Sequence, residues 1–308
     1  MKCKICKEKS LIRLRAHNIS LCKDHFLSFV LDRVQKAIRT YQLFAVGERI
    51  LVAISGGKDS LALFEILQRL GYPVEGLHVD MGIEGFSDQA IDTVAHFLTD
   101  RRAPFHLYSL LDVAGVGITR MASRLKRPPC TLCGMMRRYL MNRFAWEHGF
   151  SSLATGHNLD DEGATLLGNT TNWHVGYLAK QAPLLPASHP RLVKKVKPLV
   201  LLSEREVLAY SILRELPYQE ERCPHARGAT SVKNKIALNL IEYHSPGTKI
   251  RFYQEFQKNR TIFSQPEPTH HQSCSVCGFL TTREKCQFCT IVQRFHDLDS
   301  APSDSLAM

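Results

Sequence analysis

The chain contains no apolar run approaching the roughly 20 residues that a membrane-crossing helix requires, which excludes a helical membrane protein. No signal peptide precedes its first cysteines, so a cytoplasmic protein is expected. Acidic residues are in deficit, 29 against 40 basic ones, and the net charge of +11 favours a polyanionic partner such as RNA. Charge alone would equally suit an anionic membrane surface. The G-x-x-x-x-G-K-S/T spacing of kinases and GTPases is missing, which excludes the P-loop in that form. No internal repeat occurs beyond paired cysteine knuckles, which excludes a solenoid.

What is present centres on residues 49–60, Arg-Ile-Leu-Val-Ala-Ile-Ser-Gly-Gly-Lys-Asp-Ser. The apolar run Ile50 to Ile54 predicts a buried strand, broken by Ser55-Gly56-Gly57-Lys58-Asp59-Ser60. Leu61, Leu63, Phe64, Leu67 and Leu70 then follow with helical spacing. A strand feeding a glycine turn at a helix N-terminus aims backbone N–H groups and the positive end of the helix dipole at an anion. The two glycines let the backbone close on a phosphate, while Ser55, Ser60 and Lys58 add hydroxyls and a cation.

At 308 residues and 44% hydrophobic, the chain can bury one sizeable core and carry small appendages. Further strands are expected at Val74–Val79, Phe105–Leu110, Ser151–Ala154 and Val193–Val200, with helices near Asp88–Arg101, Arg137–His148 and Leu159–Asn169. This alternation predicts an α/β doubly wound parallel sheet with ligands at the carboxyl ends of its strands. Ser203-Glu204-Arg205-Glu206 reads as a capping box opening a helix through Arg214, and residues 229–262 read as helical and basic. The expected organisation is an N-terminal zinc finger at 1–27, a catalytic domain at 28–264, a C-terminal zinc finger at 265–292 and a flexible tail at 293–308. Pro266 and Pro268 mark the linker into the second finger.

Ten cysteines occur, most of them in Cys-x-x-Cys or Cys-x-x-His pairs, which suits metal in a reducing compartment better than disulfides. Cys3 and Cys6 with Cys22 and His25 offer one closed tetrahedral zinc shell, and Cys274, Cys277, Cys286 and Cys289 offer a second. Cys130, Cys133 and Cys223 are left over. The pair lies in Arg-Pro-Pro-Cys-Thr-Leu-Cys-Gly just before a helix, where flanking arginines should lower thiol pKa values. Three thiols suit a four-iron cluster with one iron open, a Cys130–Cys133 redox disulfide with Cys223 as third thiol, or a third zinc with an exogenous ligand.

The end of the second strand holds His78 and Val79, whose backbone groups could meet an adenine ring. The turn Ala154-Thr-Gly-His-Asn-Leu-Asp-Asp-Glu162 places Gly156 and Asp161 where a nucleotide and magnesium could be held.

Together these segments resemble the tRNA 2-thiouridine synthetases, in order and over nearly the whole chain to about residue 290. The motifs are Ser-Gly-Gly-Lys-Asp-Ser at 55–60, Pro-Pro-Cys-Thr-Leu-Cys-Gly at 128–134, the 154–162 turn, Cys-Pro-His-Ala-Arg-Gly-Ala at 223–229 and the two terminal metal sets. The Cys-x-x-Cys…Cys-x-x-His arrangement favours the TtuA branch, which acts on the T-loop ribothymidine, over the wobble-uridine branch. The resemblance implies ATP and Mg2+ bound by Ala53, Ser55, Gly56, Gly57, Lys58, Asp59, Ser60, His78, Val79, Arg137, Gly156 and Asp161. It also implies two structural Zn2+ and a 4Fe-4S cluster on Cys130, Cys133 and Cys223.

The implied reaction is ATP-dependent adenylation of the uridine C2 oxygen, then sulfur transfer, catalysed by the three cysteines with Asp59, Arg137 and Asp161. The implied partners are tRNA, a ubiquitin-like sulfur carrier ending in a thiocarboxylate, and a second copy in a homodimer, with no membrane. Arg137 stands where the family pattern expects lysine, which keeps the charge without a titratable amine. Two other classes fit parts of the chain: an amide ligase sharing the phosphate loop, and a non-enzymatic RNA-binding zinc protein. The paired metal sets and basic charge argue against the first, and intact Lys58 and Asp59 against the second.

Overall fold

A computed structural model describes residues 1–221, 223–225, 230–263 and 270–300. The proline linker at 266–268, the tail at 301–308, and Arg222 with residues 226–229 of the Cys223 motif lie outside the described residues.

The central sheet contains β3 (Ile50–Ala53), β4 (Val74–Asp80), β5 (Phe105–Ser109), β6 (Ser152–Ala154), β7 (Leu184–Leu185) and β8 (Lys194–Val196). Their spatial order is β5-β4-β3-β6-β8-β7, parallel throughout except for the short antiparallel edge strand β7. The chain runs outward from β3 through β4 to β5, then returns to the other side of β3 for β6 and β8. The switch point therefore lies between β3 and β6, where a doubly wound sheet opens a crevice at its carboxyl edge.

Strand β3 is buried on both faces: Ile50 and Val52 belong to one core, while Leu51 belongs to the other. This double burial explains why its sequence is uniformly apolar rather than alternating. The first face is covered by α1 (Lys23–Tyr41), α2 (Lys58–Arg69), α3 (Ser87–Thr99) and α9 (Glu204–Leu213). The second is covered by α4 (Leu110–Ala114), α5 (Ile118–Arg124), α6 (Pro129–Glu147) and α12 (Gln287–Asp299). Near the carboxyl edge lie α7 (Leu159–Thr171), α8 (Val175–Lys180), α10 (Thr230–His244) and α11 (Thr248–Asn259), with α10 and α11 packed on α7.

Each terminal cysteine set is built on a two-stranded ribbon, β1 (Ile12–Leu14) with β2 (Ile19–Leu21), and β9 (Gln272–Ser273) with β10 (Leu280–Thr281). Cys22 is the residue before α1, and His25 lies in that helix's first turn, so the N-terminal set is continuous with a core helix. Phe26, Val30, Val34 and Ile38 bury one α1 face at helical spacing. The C-terminal module packs on α6: Tyr139 stacks on Phe288 at 4.1 Å between centroids and meets Phe279 edge-on at 5.6 Å.

Three expectations need correction. The helix expected from Arg137 starts at Pro129, so Cys130 and Cys133 lie within its first turns rather than before it. Proline suits that first position because it lacks the N–H that a helix start leaves unbonded. The strand expected at 193–200 is only Lys194–Val196, since Leu199, Val200 and Leu202 enter the core from a turn. Residues 293–299, expected as tail, are helical, with Phe288, Ile291 and Phe295 buried on one face.

Candidate active site

The phosphate loop follows β3 as its sequence predicts. Gly56 has φ +86°, and Gly57 caps α2, which begins at Lys58. The loop is cross-braced by its own serines: the Ser55 N–H donates to Ser60 Oγ at 3.1 Å, and Ser60 Oγ donates to the Gly57 carbonyl at 2.9 Å. These bonds hold the loop open at the N-terminus of α2 without any side chain from another element.

Gly156, at the turn after β6, crosses directly over this loop. A Cβ there would lie 2.9 Å from the Asp59 carbonyl carbon and 2.9 Å from the Ser60 nitrogen, so only glycine permits the approach. Asn158 follows, and its Nδ2 donates to Asp59 Oδ1 at 3.1 Å while its Oδ1 caps α7. Asp161 closes that capping box by accepting the Asn158 N–H at 3.0 Å. Of the carboxylates at this turn, Asp161 adds its charge beside Asp59 while serving its own helix, whereas Asp160 is buried against Lys249.

Strand β4 supplies the neighbouring wall. It pairs with β3 up to Leu77, whose carbonyl accepts the Ile54 N–H at 2.8 Å. Two residues on, Val79 presents its backbone groups on the same edge after β3 has ended. His78 is buried, and its Nδ1 lies 2.8 Å from the Ile54 carbonyl oxygen, so the side chain braces the strand-to-loop junction. Burial holds the His78 imidazole below its usual range, and the Arg137 charge pushes the same way. Ala53 is the last residue of β3, beneath the loop.

Helix α6 brings Cys130, Cys133 and Arg137 to this region. Cys130 is exposed, and its thiol donates to the His225 carbonyl at 2.9 Å, which ties α6 to the segment carrying Cys223. Burial raises the Cys133 thiol pKa; Arg137 opposes this, while the Cys223 and Cys130 charges add to it. The expected lowering of thiol pKa by the arginines is therefore reversed at Cys133, because desolvation outweighs the nearby guanidinium. Arg137 bears on both Cys133 and His78, and its Nε is buried without a hydrogen-bond partner.

The two terminal sets differ from this trio. Cys3, Cys6, Cys22 and His25 bring their ligand atoms within 4.8 Å of one another, as do Cys274, Cys277, Cys286 and Cys289. Among the described residues no other set of three or more His, Cys, Asp or Glu does so. Burial raises the pKa of Cys3 and Cys274, but backbone N–H groups aimed at each sulfur prevail and bring both to about 6. For Cys274 these include the Cys286 N–H at 3.2 Å. Cys6, Cys286 and Cys289 are raised instead, by burial and by the neighbouring sulfurs, so each knuckle favours one thiolate, and four converging donors can hold a tetrahedral metal.

Residues without a sequence signal complete the charge arrangement. Lys58 Nζ meets Asp59 Oδ2 at 2.9 Å and Glu204 Oε1 at 3.1 Å. Lys235 Nζ meets Glu204 Oε2 at 3.0 Å and Asp161 Oδ1 at 2.6 Å. Burial lowers the Lys58 pKa, yet the two carboxylates hold it above its ordinary value. Asp59 is also raised despite that partner, because its own burial outweighs the ammonium and Asp161 adds like charge. Glu204 reads in sequence only as part of a capping box, and Lys235 only as one lysine of a basic helix. A cavity of about 880 Å3 opens beside Lys58 and Asp59, bounded by Arg13, Glu204 and Lys249. His78, Val79, Gly156 and the central cysteines do not line it.

Residues 2–27 match the family described as 2-thiouridine synthetase TtuA, N-terminal LIM domain, and residues 30–225 match the PP-loop domain. The tRNA-5-methyluridine(54) 2-sulfurtransferase of Thermus thermophilus is 41% identical, covering 94% of this chain and 90% of its own. The protein of the same name from Pyrococcus horikoshii is 40% identical, covering 94% and 93%. The solved structure of the U34-tRNA thiolase NcsA from Methanococcus maripaludis, with its 4Fe-4S cluster, superposes with a TM-score of 0.81 at 25% identity and covers 96% of each chain. With both family models matched over residues 2–27 and 30–225 and about 40% identity to these relatives over 94% of its length, this chain belongs to the TtuA-like tRNA 2-thiolation family of PP-loop enzymes.

Proposed function

We propose that the protein is a tRNA sulfurtransferase that replaces the C2 oxygen of uridine with sulfur, acting on 5-methyluridine at position 54. The observation that carries this reading is a braced phosphate loop on a sheet whose neighbouring strands β4 and β6 pack against α6, the helix that carries the cysteine pair and Arg137. The choice of position 54 is supported by 41% identity to an enzyme named for it, against 25% for the U34 thiolase.

The C2 oxygen is a poor leaving group and must first be activated. Attack of that oxygen on the α-phosphorus of ATP breaks the α–β phosphoanhydride bond and releases pyrophosphate. The loop N–H groups, Ser55, Ser60 and Lys58 bind the departing phosphates, and Arg137 balances charge that develops near the α-phosphate. Val79 offers backbone groups to adenine, and Gly156 leaves room over the loop. Asp161, with Asp59 close by, would hold Mg2+, whose Lewis acidity favours departure of pyrophosphate. Hydrosulfide, released from its donor by hydrolysis of the carbon–sulfur bond, then attacks C2, and collapse of the adduct expels AMP with the original oxygen and a proton, leaving C=S.

Cys130, Cys133 and Cys223 suit a 4Fe-4S cluster, because three thiols leave one iron without a protein ligand. Such a cluster, when bound, supplies a site for sulfur delivery. The terminal sets suit Zn2+, four donors each. A ubiquitin-like carrier ending in a thiocarboxylate would provide the sulfur. A homodimer is supported by the exposed stripe Val232, Ile236 and Leu240 on α10.

The test incubates anaerobically reconstituted protein with labelled ATP, sulfide and tRNA, and maps thiolated nucleosides by mass spectrometry. Thiolation at position 54 with one AMP per sulfur is expected. Thiolation at position 34 would assign the wobble reading, and AMP formation without thiolated tRNA would reject both.

A further inference from the structure

Five charged side chains around the phosphate loop close into a ring. Asp59 pairs with Lys58, Lys58 with Glu204, Glu204 with Lys235, and Lys235 with Asp161. Asn158 completes the circuit, binding Asp59 through its side chain and Asp161 through its backbone N–H. The members come from α2, α7, α9 and α10, elements distant in sequence. All are partly or largely shielded: Lys58 and Lys235 side chains are 18% and 23% exposed.

The ring occupies the groups that a nucleotide would use. Lys58, the loop's only lysine, is engaged by two carboxylates, and the Lys235 ammonium sits against Asp161 where a divalent cation would sit. Glu204 is fixed in turn, because it opens α9 and its N–H donates to Asp160 Oδ2 at 2.9 Å. Asp160 is itself buried and held by Lys249. The glutamate is thus a built element rather than a loose surface acid.

We propose that Glu204 and Lys235 are positioning residues of the nucleotide site, which hold Lys58 and Asp161 in a ring that entry of ATP and Mg2+ opens. Glu204 then competes with the triphosphate for Lys58, and Lys235 competes with the divalent cation for Asp161. Released from these pairings, Lys235 becomes a second ammonium beside the phosphates. The inference rests on the nucleotide-binding reading given above.

The test is equilibrium binding of a fluorescent, non-hydrolysable ATP analogue to the full chain, titrated with Mg2+ and without tRNA, with melting midpoints recorded to verify folding. Glu204→Gln should tighten analogue binding about three- to tenfold, the scale of one lost competing ion pair at a partly buried site. In a Lys58→Met background the same change should have no effect, because its beneficiary is gone. Lys235→Met should lower the Mg2+ concentration needed for half-maximal binding, again by about threefold or more. Unchanged or weaker binding in Glu204→Gln, an equal gain without Lys58, or an unaltered Mg2+ requirement in Lys235→Met would overturn the proposal. A parent protein that binds no analogue would overturn the nucleotide reading together with it.

Discussion

The terminal cysteine sets and the central trio use the same residue in opposite ways. At each end, four ligand atoms converge within 4.8 Å and backbone N–H groups already point at sulfur. In the centre, the exposed Cys130 thiol donates to a carbonyl oxygen, and burial raises the Cys133 thiol pKa. A knuckle whose four donors already converge is suited to holding metal as a structural pin. A set that spans two chain segments and leaves a thiol open to solvent is suited to accepting a reactant.

The sharpest break of this comparison replaces one cysteine from each class. Cys133→Ser should reduce thiolation at least about 100-fold while shifting the melting midpoint by no more than about 2 °C, because serine nearly matches cysteine in shape at this partly buried position but cannot replace its sulfur chemistry. Cys274→Ser should release about one of two zincs and lower the melting midpoint by several degrees, with partial loss of thiolation. That partial loss follows from Tyr139, which stacks on Phe288 and donates to Cys277 Sγ at 3.2 Å, so the module steadies the helix carrying Cys133. Metal analysis, melting curves and nucleoside yield on both variants would break the distinction if the two behaved alike.

A smaller effect sharpens where the phosphate loop stands. Gly156→Ala forces a methyl into backbone atoms 2.9 Å away, which should cost about 1–3 kcal/mol of stability and lower AMP formation about tenfold or more. A variant with parental turnover would show that the loop and the β6 turn need not touch.

The smallest effect concerns His78. Burial depresses its folded-state pKa below the ordinary value of about 6.5, so the unfolded chain binds a proton that the folded chain does not. Its stability contribution is full above pH about 6.5 and is lost progressively as pH falls from there toward the folded-state value. His78→Gln should flatten that part of the stability-versus-pH curve, read by denaturant melts at successive pH values. An unchanged slope would remove the residue as its cause.

Local sequence was enough wherever a constraint acts over a few residues. The phosphate loop, the closed metal sets and the Ser203 capping box could be read directly, because turn geometry, ligand spacing and helix starts are short-range demands. The parallel sheet was legible from alternation, since strands buried on both faces must be apolar throughout. The beginning of α6 was missed because proline and two cysteines give its first turns no apolar period, and the tail was misjudged because α12 is held by contacts with distant segments, its buried Phe288, Ile291 and Phe295 and the pairing of Asp299 with Arg120.

The sequence by itself thus determined which atoms could bind phosphate and metal. Only the tertiary structure decided how they are balanced. Lys58 meets Glu204 and Lys235 meets Asp161 because α9 and α10 fold back over the carboxyl edge. The Cys133 thiol pKa is raised because the packing around α6 removes water more effectively than Arg137 supplies charge. Both outcomes depend on burial and on approach between distant segments, and neither quantity is encoded within any short stretch of chain.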